Sequence, residues 1–487
     1  MIELTPERIA DAGSLEIVRD GGPGRPERGE IDSRRVALGD LFFGLPGASA
    51  DGGEFAAAAL DRGAWGVVVT PERAGSLPAG GWVFASADPL SSLQTIAREW
   101  RWELGCRVVG ITGSTGKTSV KDITRALLPF RVHASPENYN TEIGLPLTIL
   151  AAPPDTEVLV LEMAMRGLGQ IAELCEIAEP EIGVITNIGP VHLELLGTIE
   201  AIAEAKAELL QGLGEGGLAV IPADAEALEP HLADALRTIT FGQGGDVFVV
   251  DSRVTARSTQ ARIATPLGEQ RFVLPFAESY NVTNALTAIA IGVALEATPA
   301  QLARRAPEIT FSRLRGELLE LADGIVLVND CYNANPISMH AALESLAAMP
   351  ARGRRVAVLG GMGELGPESS GYHREVGAQA RALGLAPILG VGELARDYAP
   401  DHWAPDPEAA AALADELIEP GDAILVKGSR AVGLEAFTDG FAARRGGASP
   451  GREAGSGVDP VGPGREAGSG ADPVGPGREA EEPTGDI

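Results

Sequence analysis

A lysine and a threonine follow a glycine-rich turn in the segment CRVVGITGSTGKTSVKDITRALL, residues 106–128. The β-branched run before the turn predicts a strand, and the apolar spacing after it predicts a helix. Gly113 and Gly116 allow positive φ, so successive N–H groups and the helix N-terminus can point at phosphate oxygens. We expect Lys117 to contact the β- and γ-phosphates and the Thr118 hydroxyl to bind Mg²⁺. The strict Walker spacing is not met, but the strand–loop–helix context favours nucleotide binding over an ordinary turn. The predicted phosphate-binding residues are Gly113, Ser114, Thr115, Gly116, Lys117, Thr118 and Ser119.

Two side chains with metal-binding chemistry follow predicted strands later in the chain. VLVLE places Glu162 at a strand end, and IGVITNIGPVH places Asn187 just past another strand, with His192 in the loop beyond. Strands alternating with helices predict a mainly parallel sheet, in which ligands bind at the carboxyl ends. Either side chain could simply be solvated, but their placement beside the phosphate loop favours Mg²⁺ ligation. His192 is the weaker candidate because imidazole is not a preferred magnesium ligand.

A lysine lies on the apolar stripe of the predicted helix TIEAIAEAKAELLQGL, residues 198–213. The neighbours of Lys206 at helical spacing are alanine, isoleucine and leucine, so no carboxylate of the helix can pair with it. Such a lysine must snorkel to solvent, find a distant partner or lose its charge. Carbamylation is the sharper alternative to snorkelling, because a lysine carbamate is an anion able to bind Mg²⁺ and forms on a lysine with a lowered pKa.

Three other polar segments could contact ligands. The loop SPENYNTEIGLP offers hydrogen bonds to a substrate or is a simple connection. The start of the predicted helix at 278–295 holds two asparagines that are either caps or adenine contacts. The cluster before the first predicted strand could grip a diphosphate or form a solvated turn. The candidate side chains of the loop are Asn138, Asn140, Thr141 and Glu142. Those of the helix start are Asn281 and Asn284, and those of the cluster before the first strand are Ser33, Arg34 and Arg35.

The fold class predicted from these patterns is α/β with three domains. A chain of 487 residues with 45% hydrophobic content can bury several cores. A small α/β domain (1–100) precedes a central domain with a mainly parallel sheet (101–310) and a third α/β unit (311–445). In the third unit polar clusters follow three strands, which argues for a binding face. Residues 446–487 repeat GREAGSG motifs without apolar periodicity and predict a disordered tail.

Composition narrows the function classes. The formal net charge of −29 argues against general nucleic-acid binding. No apolar run is long enough to cross a membrane, so we expect no membrane insertion and a cytoplasmic protein. The three cysteines are far apart and lack companion ligands, which predicts buried free thiols and no zinc site.

Taken together, these segments resemble the Mur ligase family of ATP-dependent amide-forming enzymes, over nearly all of the chain before the tail. GITGSTGKTSVKD resembles the family's P-loop, NYNTEIGLPLTIL its substrate loop, LEMAMRGLGQI and ITNIGPVHLE its metal segments, and EAKAELL its carbamylated-lysine helix. NDCYNANPISM, GGMGELGPESSGYHREVG and LVKGSRAVGLE resemble the MurF type, which adds D-alanyl-D-alanine. The chain departs from the family at Tyr280 and Gly53, where histidines are usual.

The resemblance implies a P-loop-type central domain, an N-terminal domain that binds the UDP-sugar-peptide and a C-terminal Rossmann-like ligase domain. It implies ATP and Mg²⁺ as cofactors and small-molecule partners, and we expect a monomer. Lys117 would stabilise the transferring phosphoryl group, while Glu162, His192 and carbamylated Lys206 would position a second Mg²⁺. The catalytic candidates are therefore Lys117, Lys206 and His192. From the third domain, Arg315, Asp330 and Asn333 would complete the nucleotide site. Candidates for contacts to the dipeptide and phosphates are Tyr332, Asn335, Ser338, Glu364, Lys427, Ser429 and Arg430.

Two other functions remain open at this point. Another Mur-type ligase would add an amino acid to a different acceptor, although the first domain and the YNANP segment disfavour this. A non-catalytic nucleotide-dependent binding protein would keep the P-loop but would have no need of a lysine carbamate. The sequence does not indicate whether the third residue of the accepted peptide is diaminopimelate or lysine.

Overall fold

The computed structural model describes residues 2–47, 50–136, 138–191, 193–255 and 257–446. His192 and the predicted tail from residue 447 onward lie outside the described residues. Within the described ranges, no helix combines the length and the apolar character needed to cross a bilayer.

The N-terminal sheet has five strands in the order β1-β5-β4-β3-β2, and all neighbours run parallel except the antiparallel pair β1 and β5. Three apolar residues form the predicted short strand at 41–43, which is confirmed. The elements are β1 Glu16–Arg19, β2 Gly29–Glu30, β3 Leu41–Phe43, β4 Gly66–Val69 and β5 Trp82–Ala85, with helices α1 Pro6–Gly13, α2 Ala56–Asp61, α3 Pro71–Ala74 and α4 Pro89–Leu104.

The central sheet has six parallel strands in the order β11-β10-β9-β6-β8-β7. The apolar runs of the four inner strands are buried on both faces, as expected for a parallel sheet covered by helices, whereas the edge strands β7 and β11 are partly exposed. The strands are β6 Arg107–Thr112, β7 Val132–Ala134, β8 Val158–Glu162, β9 Ile182–Ile185, β10 Leu218–Pro222 and β11 Arg237–Phe241. The helices of this region are α5 Lys117–Leu127, α6 Gly144–Leu150, α7 Gln170–Ala178, α8 Leu193–Leu196, α9 Ile199–Gln211, α10 Ser279–Ala294 and α11 Pro299–Arg305.

A small antiparallel sheet, which the sequence analysis did not predict, interrupts this pattern. Its strands are β12 Phe248–Val254, β13 Thr259–Thr265 and β14 Gly268–Leu274. Alternate residues of β13 are buried, so only one face of the sheet packs against the rest of the domain. The sheet leads the chain into α10, whose first residues reach the site described below.

The C-terminal sheet has the order β15-β16-β20-β17-β18-β19, and only β15 is antiparallel. The apolar runs at 325–330, 355–360, 386–392 and 423–428 predict four strands of this unit, and all four are confirmed within one or two residues at their ends. The elements are β15 Glu317–Glu320, β16 Val326–Asn329, β17 Arg355–Gly360, β18 Ile388–Val391, β19 His402–Ala404 and β20 Ala423–Lys427, with helices α12 Pro336–Ala348, α13 Ser369–Ala382, α14 Pro407–Leu417 and α15 Glu435–Arg444.

One hydrophobic core spans the N-terminal and central sheets. Trp100 of α4 is buried in it, and its indole N–H donates to the carbonyl of Ala152 at 3.3 Å. The predicted boundary between residues 100 and 101 falls within α4. All three cysteines are buried with free thiols, as predicted.

The connection from the central to the C-terminal sheet is anchored on the phosphate-loop helix. The backbone N–H and the hydroxyl of Ser312 both donate to the Asp122 carboxylate at 2.8 Å. Beyond this anchor, Leu314 has φ of 64° and Gly316 has φ of 73°. A left-handed backbone is uncommon for leucine, so these turns redirect the chain sharply at the domain junction.

Candidate functional site

The phosphate loop joins β6 to α5 and depends on two glycines. Gly113 has φ of 147°, and a Cβ there would overlap the hydroxyl of Thr186. Gly116 has φ of 81°, and a Cβ there would lie 2.6 Å from the side-chain oxygen of Asn284. The predicted positive φ at both glycines is confirmed, and only glycine fits at either position.

The end of β9 supports this loop from beneath, an arrangement that the sequence analysis missed. The Thr115 N–H donates to the Asn187 side-chain oxygen at 2.9 Å, and the Ser114 N–H donates to the Asn187 carbonyl at 3.1 Å. Thr186 and Asn187 also donate to Thr115 through their side chains. The Ser114 hydroxyl bonds to the backbone of Gly189 at 3.0 Å. The loop is therefore held in shape by Asn187, whose position at a strand end was its only sequence signal.

Lys117 begins α5 beneath the loop and curls back onto it. Its ammonium donates to the Gly113 carbonyl at 2.8 Å. Burial lowers the Lys117 pKa, Glu162 acts in the opposite direction, and the charge of Arg315 lowers it further. A cation with one backbone partner at the base of the loop can exchange that partner for a phosphate oxygen.

Glu162 ends β8 as predicted, and its buried carboxylate gathers two donors. The Thr118 hydroxyl donates to one oxygen at 2.7 Å, and the Asn140 amide donates to the other at 2.9 Å. The Glu162 N–H donates to the Ser135 hydroxyl at 3.1 Å, which fixes the strand end. Hydroxyl and carboxylate oxygens are the ligands that Mg²⁺ prefers. The described residues contain no cluster of three or more acidic, histidine or cysteine side chains that would hold a metal by themselves, so a Mg²⁺ ion here would take its other ligands from phosphate oxygens and water.

Lys206 of α9 is 2% exposed, so it does not snorkel to solvent. Within the described part of the chain it has no hydrogen bond or ion pair. Burial, together with the nearby charge of Lys117, holds the Lys206 pKa well below its usual value. A lowered pKa favours the neutral amine, which is the form that reacts with CO₂, so Lys206 meets the chemical requirement for carbamylation.

The C-terminal sheet contributes a buried ion pair. The Lys427 ammonium lies 2.6 Å from the Asp330 carboxylate and donates to the Asn333 carbonyl at 3.0 Å. Asp330 follows β16 and Lys427 ends β20, which are neighbouring parallel strands. The polar clusters therefore meet at one edge of the sheet, as their sequence positions predicted.

Two arginines flank the ring of Tyr332 beside this pair. The Arg315 guanidinium lies 3.9 Å from the ring centroid, and that of Arg430 lies 5.9 Å from it. Arg430 also pairs with Glu435 at 3.2 Å. Ser429 is held by its N–H, which donates to the Gly361 carbonyl at 2.9 Å.

Asn335 and Ser338 form a capping box at the start of α12. The Asn335 side chain accepts from the Ser338 N–H at 3.0 Å, and the Ser338 hydroxyl accepts from the Asn335 N–H at 3.1 Å. Both side chains therefore have a structural task in addition to their place beside the cavity. Between them, Ile337 contacts Gly189 so closely that a Cβ on the glycine would overlap it.

These elements enclose a cavity of about 820 Å³. The predicted site residues that line it are Ser114, Thr115, Gly116, Lys117, Thr118, Ser119, Asn140, Glu162, Asn284, Arg315, Asp330, Tyr332, Asn333, Asn335, Ser338 and Lys427. A volume of this size is typical of a ligand site. Residues from the central and C-terminal sheets therefore share one cavity.

Segments at the ends of β10 and β11 also line the cavity and were missed. They are residues 222, 224–227 and 241–243. Both strands are parallel to β6 and end at the same edge of the sheet, which is the signal that could have revealed them.

The two helix-start asparagines differ in role. Asn284 lines the cavity, whereas Asn281 is buried and accepts from the Asn284 amide at 3.2 Å. Neither is the N-cap of α10, which is Glu278. Tyr280 also lines the cavity, and burial, with the negative charges of Asp330 and Glu278, raises its pKa well above the usual value.

The predicted substrate contacts of the N-terminal region lie outside this lining. Arg34 is exposed and pairs with Asp32 at 2.8 Å, and Ser33 is half-buried in the same turn. The adjacent Arg35 donates to the Tyr139 hydroxyl at 2.9 Å, which joins this turn to the substrate loop. Loop residues that do not line the cavity are Asn138, Thr141 and Glu142.

Glu364 is outside the lining as well, with φ of 60°. Its carboxylate lies 3.8 Å from the guanidinium of Arg166, which belongs to the loop after β8. This ion pair crosses from the C-terminal unit to the central one.

Comparison with known proteins agrees with this architecture. Residues 111–292 match the family described as Mur ligase middle domain, and residues 314–430 match that described as Mur ligase, glutamate ligase domain. The UDP-N-acetylmuramoyl-tripeptide--D-alanyl-D-alanine ligase of Bacillus subtilis strain 168 is 34% identical over 416 residues, which cover 83% of this chain and 90% of the relative.

Solved structures give the same result. MurF from Acinetobacter baumannii superposes with a TM-score of 0.81 at 26% identity, covering 90% of this chain and 98% of that one. MurF ligase from Thermotoga maritima, determined in complex with ADP, has a TM-score of 0.76 at 31% identity, covering 86% of this chain and 98% of that one. Because sequence relatives, domain matches and fold agree, the chain belongs to the Mur ligase family.

Proposed function

We propose that this protein is an ATP-dependent ligase that joins D-alanyl-D-alanine to UDP-N-acetylmuramoyl-tripeptide, giving the pentapeptide precursor of peptidoglycan. The observation that supports it best is the shared cavity, where Lys117, Thr118 and Glu162 of the central unit face Asp330 and Lys427 of the C-terminal unit. Relatives of similar length that bear this activity in their names support the choice of substrates.

In the first step an oxygen of the tripeptide's terminal carboxylate attacks the γ-phosphorus of ATP, and ADP leaves. Lys117 would exchange its hydrogen bond to the Gly113 carbonyl for a contact to the transferring phosphoryl group. The N–H groups at the start of α5 stabilise the phosphate charge, since the helix dipole favours anions there.

Mg²⁺ fits beside Thr118 and Glu162, because a hydroxyl and a carboxylate oxygen already lie 2.7 Å apart at the phosphate loop. Bound there, the ion would neutralise phosphate charge. Asn140 orients the carboxylate through its other oxygen. We assign Lys206, as its carbamate, and His192 to a second magnesium position, which Glu162 would also help to hold. Carbamylation joins CO₂ to the neutral amine of Lys206 and releases one proton, after which the buried group is an anion.

In the second step the amine of D-alanyl-D-alanine attacks the acyl carbon, the bond to the phosphate oxygen breaks, and the amine loses its proton. Amine and acyl carbon must be held in register for this. The N-terminal unit would bind the uridine nucleotide through Ser33 and Arg34, and residues 311–445 would bring the dipeptide. Closure of the units would exclude water from the acyl phosphate. Because the proposed substrates are nucleotide-linked precursors, we propose that the reaction takes place in the cytoplasm. We also propose that the enzyme acts as a monomer.

The test is ligation by the purified full chain with ATP, Mg²⁺, UDP-N-acetylmuramoyl-tripeptide and D-alanyl-D-alanine, with the product identified by mass spectrometry. Pentapeptide product and phosphate release that both require the two peptide substrates are expected. Running the assay with diaminopimelate- and lysine-containing tripeptides determines the third residue. Product from a single amino acid but not from the dipeptide would identify a different Mur-type acceptor, and ATP binding without turnover would support the non-catalytic alternative.

A further inference from the structure

An ion pair between two units lies at the border of the cavity, and the mechanism above does not use it. Arg166 and Glu364 approach to 3.8 Å, with 47% and 46% of their side chains exposed. Arg166 lies between β8 and α7, and Glu364 follows β17. Each loop leaves the carboxyl end of its strand, which is where ligands bind in sheets of this kind.

Both loops are fixed to the cavity wall. Ala164 lines the cavity, and its N–H donates to the Asn140 carbonyl at 2.9 Å, so Arg166 lies only two residues beyond the wall. On the other side, the loop after β17 is tied to the end of β20 by the Ser429 N–H, which donates to Gly361. Lys427 at that strand end lines the cavity. The pair therefore stands where the central and C-terminal walls meet.

The backbone at Glu364 supports a functional reading of the pair. Its φ of 60° is a left-handed conformation that non-glycine residues seldom adopt because it is strained. Glycine, which adopts positive φ readily, occupies nearby positions 363 and 366 of this turn. Position 364 nevertheless has a glutamate. The strain places this side chain against a guanidinium of the other unit.

Other cations of the C-terminal wall are engaged more tightly. Lys427 is buried 2.6 Å from Asp330, Arg315 stacks on Tyr332, and Arg430 is held at 3.2 Å by its own carboxylate partner. A half-exposed ion pair at 3.8 Å contributes little stability, so its arginine can change partners at small cost. Arg166 is therefore the cation best suited to receive an incoming anion.

Building on the proposed ligation, we propose that Arg166 binds the C-terminal carboxylate of the incoming D-alanyl-D-alanine, and that Glu364 orients the guanidinium until the dipeptide arrives. A guanidinium matches a carboxylate with two parallel hydrogen bonds. The tripeptide also has carboxylates, but it reaches the cavity from the N-terminal side, where Arg35 contacts Tyr139 of the substrate loop. Arg166 instead faces the C-terminal unit, from which the second substrate must come.

The test compares two acceptors, D-alanyl-D-alanine and its C-terminal amide, which lacks the negative charge. Steady-state kinetics are measured for the wild type, Arg166→Ala and Arg131→Ala, with ATP and UDP-N-acetylmuramoyl-tripeptide saturating. Arg131 is a matched control because it is an exposed arginine of the central unit whose partners, Asp155 and Glu157, lie away from the cavity. Wild type should prefer the acid over the amide by at least tenfold in kcat/KM.

Arg166→Ala should raise KM for the dipeptide about 10- to 100-fold, as expected for a lost charge-assisted hydrogen bond. The kcat/KM for the amide should stay within twofold of the wild-type value, as should the KM values for ATP and the UDP-substrate. The preference for the acid over the amide should therefore collapse. Equal losses with acid and amide would overturn the proposal and indicate a role in domain closure. A raised KM for the UDP-substrate alone would assign Arg166 to a tripeptide carboxylate instead. An inactive wild type would refute the proposed function itself, whereas an active wild type whose preference survives in Arg166→Ala refutes this inference only.

Discussion

Replacing Lys206 with methionine should stabilise the protein while abolishing ligation. The residue is 2% exposed and has no hydrogen bond or ion pair to another described residue, so nothing in that part of the chain offsets the cost of burying its amine. An unpartnered buried polar group costs about 1–3 kcal/mol. Methionine has a similar length and an apolar, adaptable side chain. Without bicarbonate, which would form the carbamate, Lys206→Met should therefore raise the free energy of unfolding by about 1–3 kcal/mol.

Lys121 provides the matched control, since it is also buried, at 3% exposed. Its ammonium donates to the Ser135 carbonyl at 2.9 Å and lies 3.2 Å from the Asp122 carboxylate. Lys121→Met would take this donor from the Ser135 carbonyl and would leave the Asp122 carboxylate with Ser312 alone, so it should lower the free energy of unfolding by about 1–3 kcal/mol. Urea unfolding of both variants and the wild type in bicarbonate-free buffer at pH 7 gives the comparison.

The effect of pH gives a second check on the same prediction. Burial depresses the pKa of Lys206, so between that value and about 10.4 the unfolded state binds more protons than the folded state. Stability of the wild type should rise with pH across this interval, and the advantage of Lys206→Met should shrink toward pH 10. Destabilisation of Lys206→Met to the extent seen for Lys121→Met would refute the reasoning, because it would mean that the amine is well partnered.

Three further predictions concern the loop, the domain junction and a buried histidine. Gly113→Ala places a Cβ over the Thr186 hydroxyl at a φ of 147°, so ATP binding measured by calorimetry should weaken at least about tenfold, and unchanged affinity would contradict the loop geometry. Asp122→Ala removes the acceptor of two hydrogen bonds from Ser312, worth about 1 kcal/mol each. Limited proteolysis should therefore cut the connection between the central and C-terminal sheets faster than in the wild type. An unchanged rate would show that these hydrogen bonds do not hold the connection. Burial lowers the pKa of His373, whose Nε2 accepts a backbone N–H at 2.9 Å, so stability should fall as pH drops below about 6.5. The urea-unfolding stability of His373→Gln should lack this dependence on pH. A pH profile identical to that of the wild type would contradict the prediction.

Local patterns were sufficient to predict the elements that hold the phosphate site. A glycine-rich turn between a β-branched run and an amphipathic stretch has few other structures open to it, so the strand, loop and helix around Lys117 follow from the sequence. Glu162, Asp330 and Lys427 end up at sheet edges because parallel strands place their carboxyl ends together. The functional roles assigned to these residues stay predictions.

Contacts across long separations in sequence could not be predicted. Asn187 supports Thr115 from a neighbouring strand, and nothing in the local sequence distinguishes it from a solvated loop residue. The burial of Lys206 depends on what packs over α9, which helical periodicity does not report.

One local feature was also overlooked. Asn335 and Ser338 form a capping box that the spacing N-x-x-S could have suggested.

The most direct test of the proposed mechanism follows the oxygen atoms of the tripeptide. UDP-N-acetylmuramoyl-tripeptide labelled with ¹⁸O at both oxygens of its terminal carboxylate is incubated with the full chain, ATP, Mg²⁺ and D-alanyl-D-alanine. The acyl-phosphate route predicts that each turnover transfers one labelled oxygen to the released phosphate and leaves the other in the new amide. Unlabelled phosphate, with product still formed, would contradict activation of this carboxylate by phosphoryl transfer.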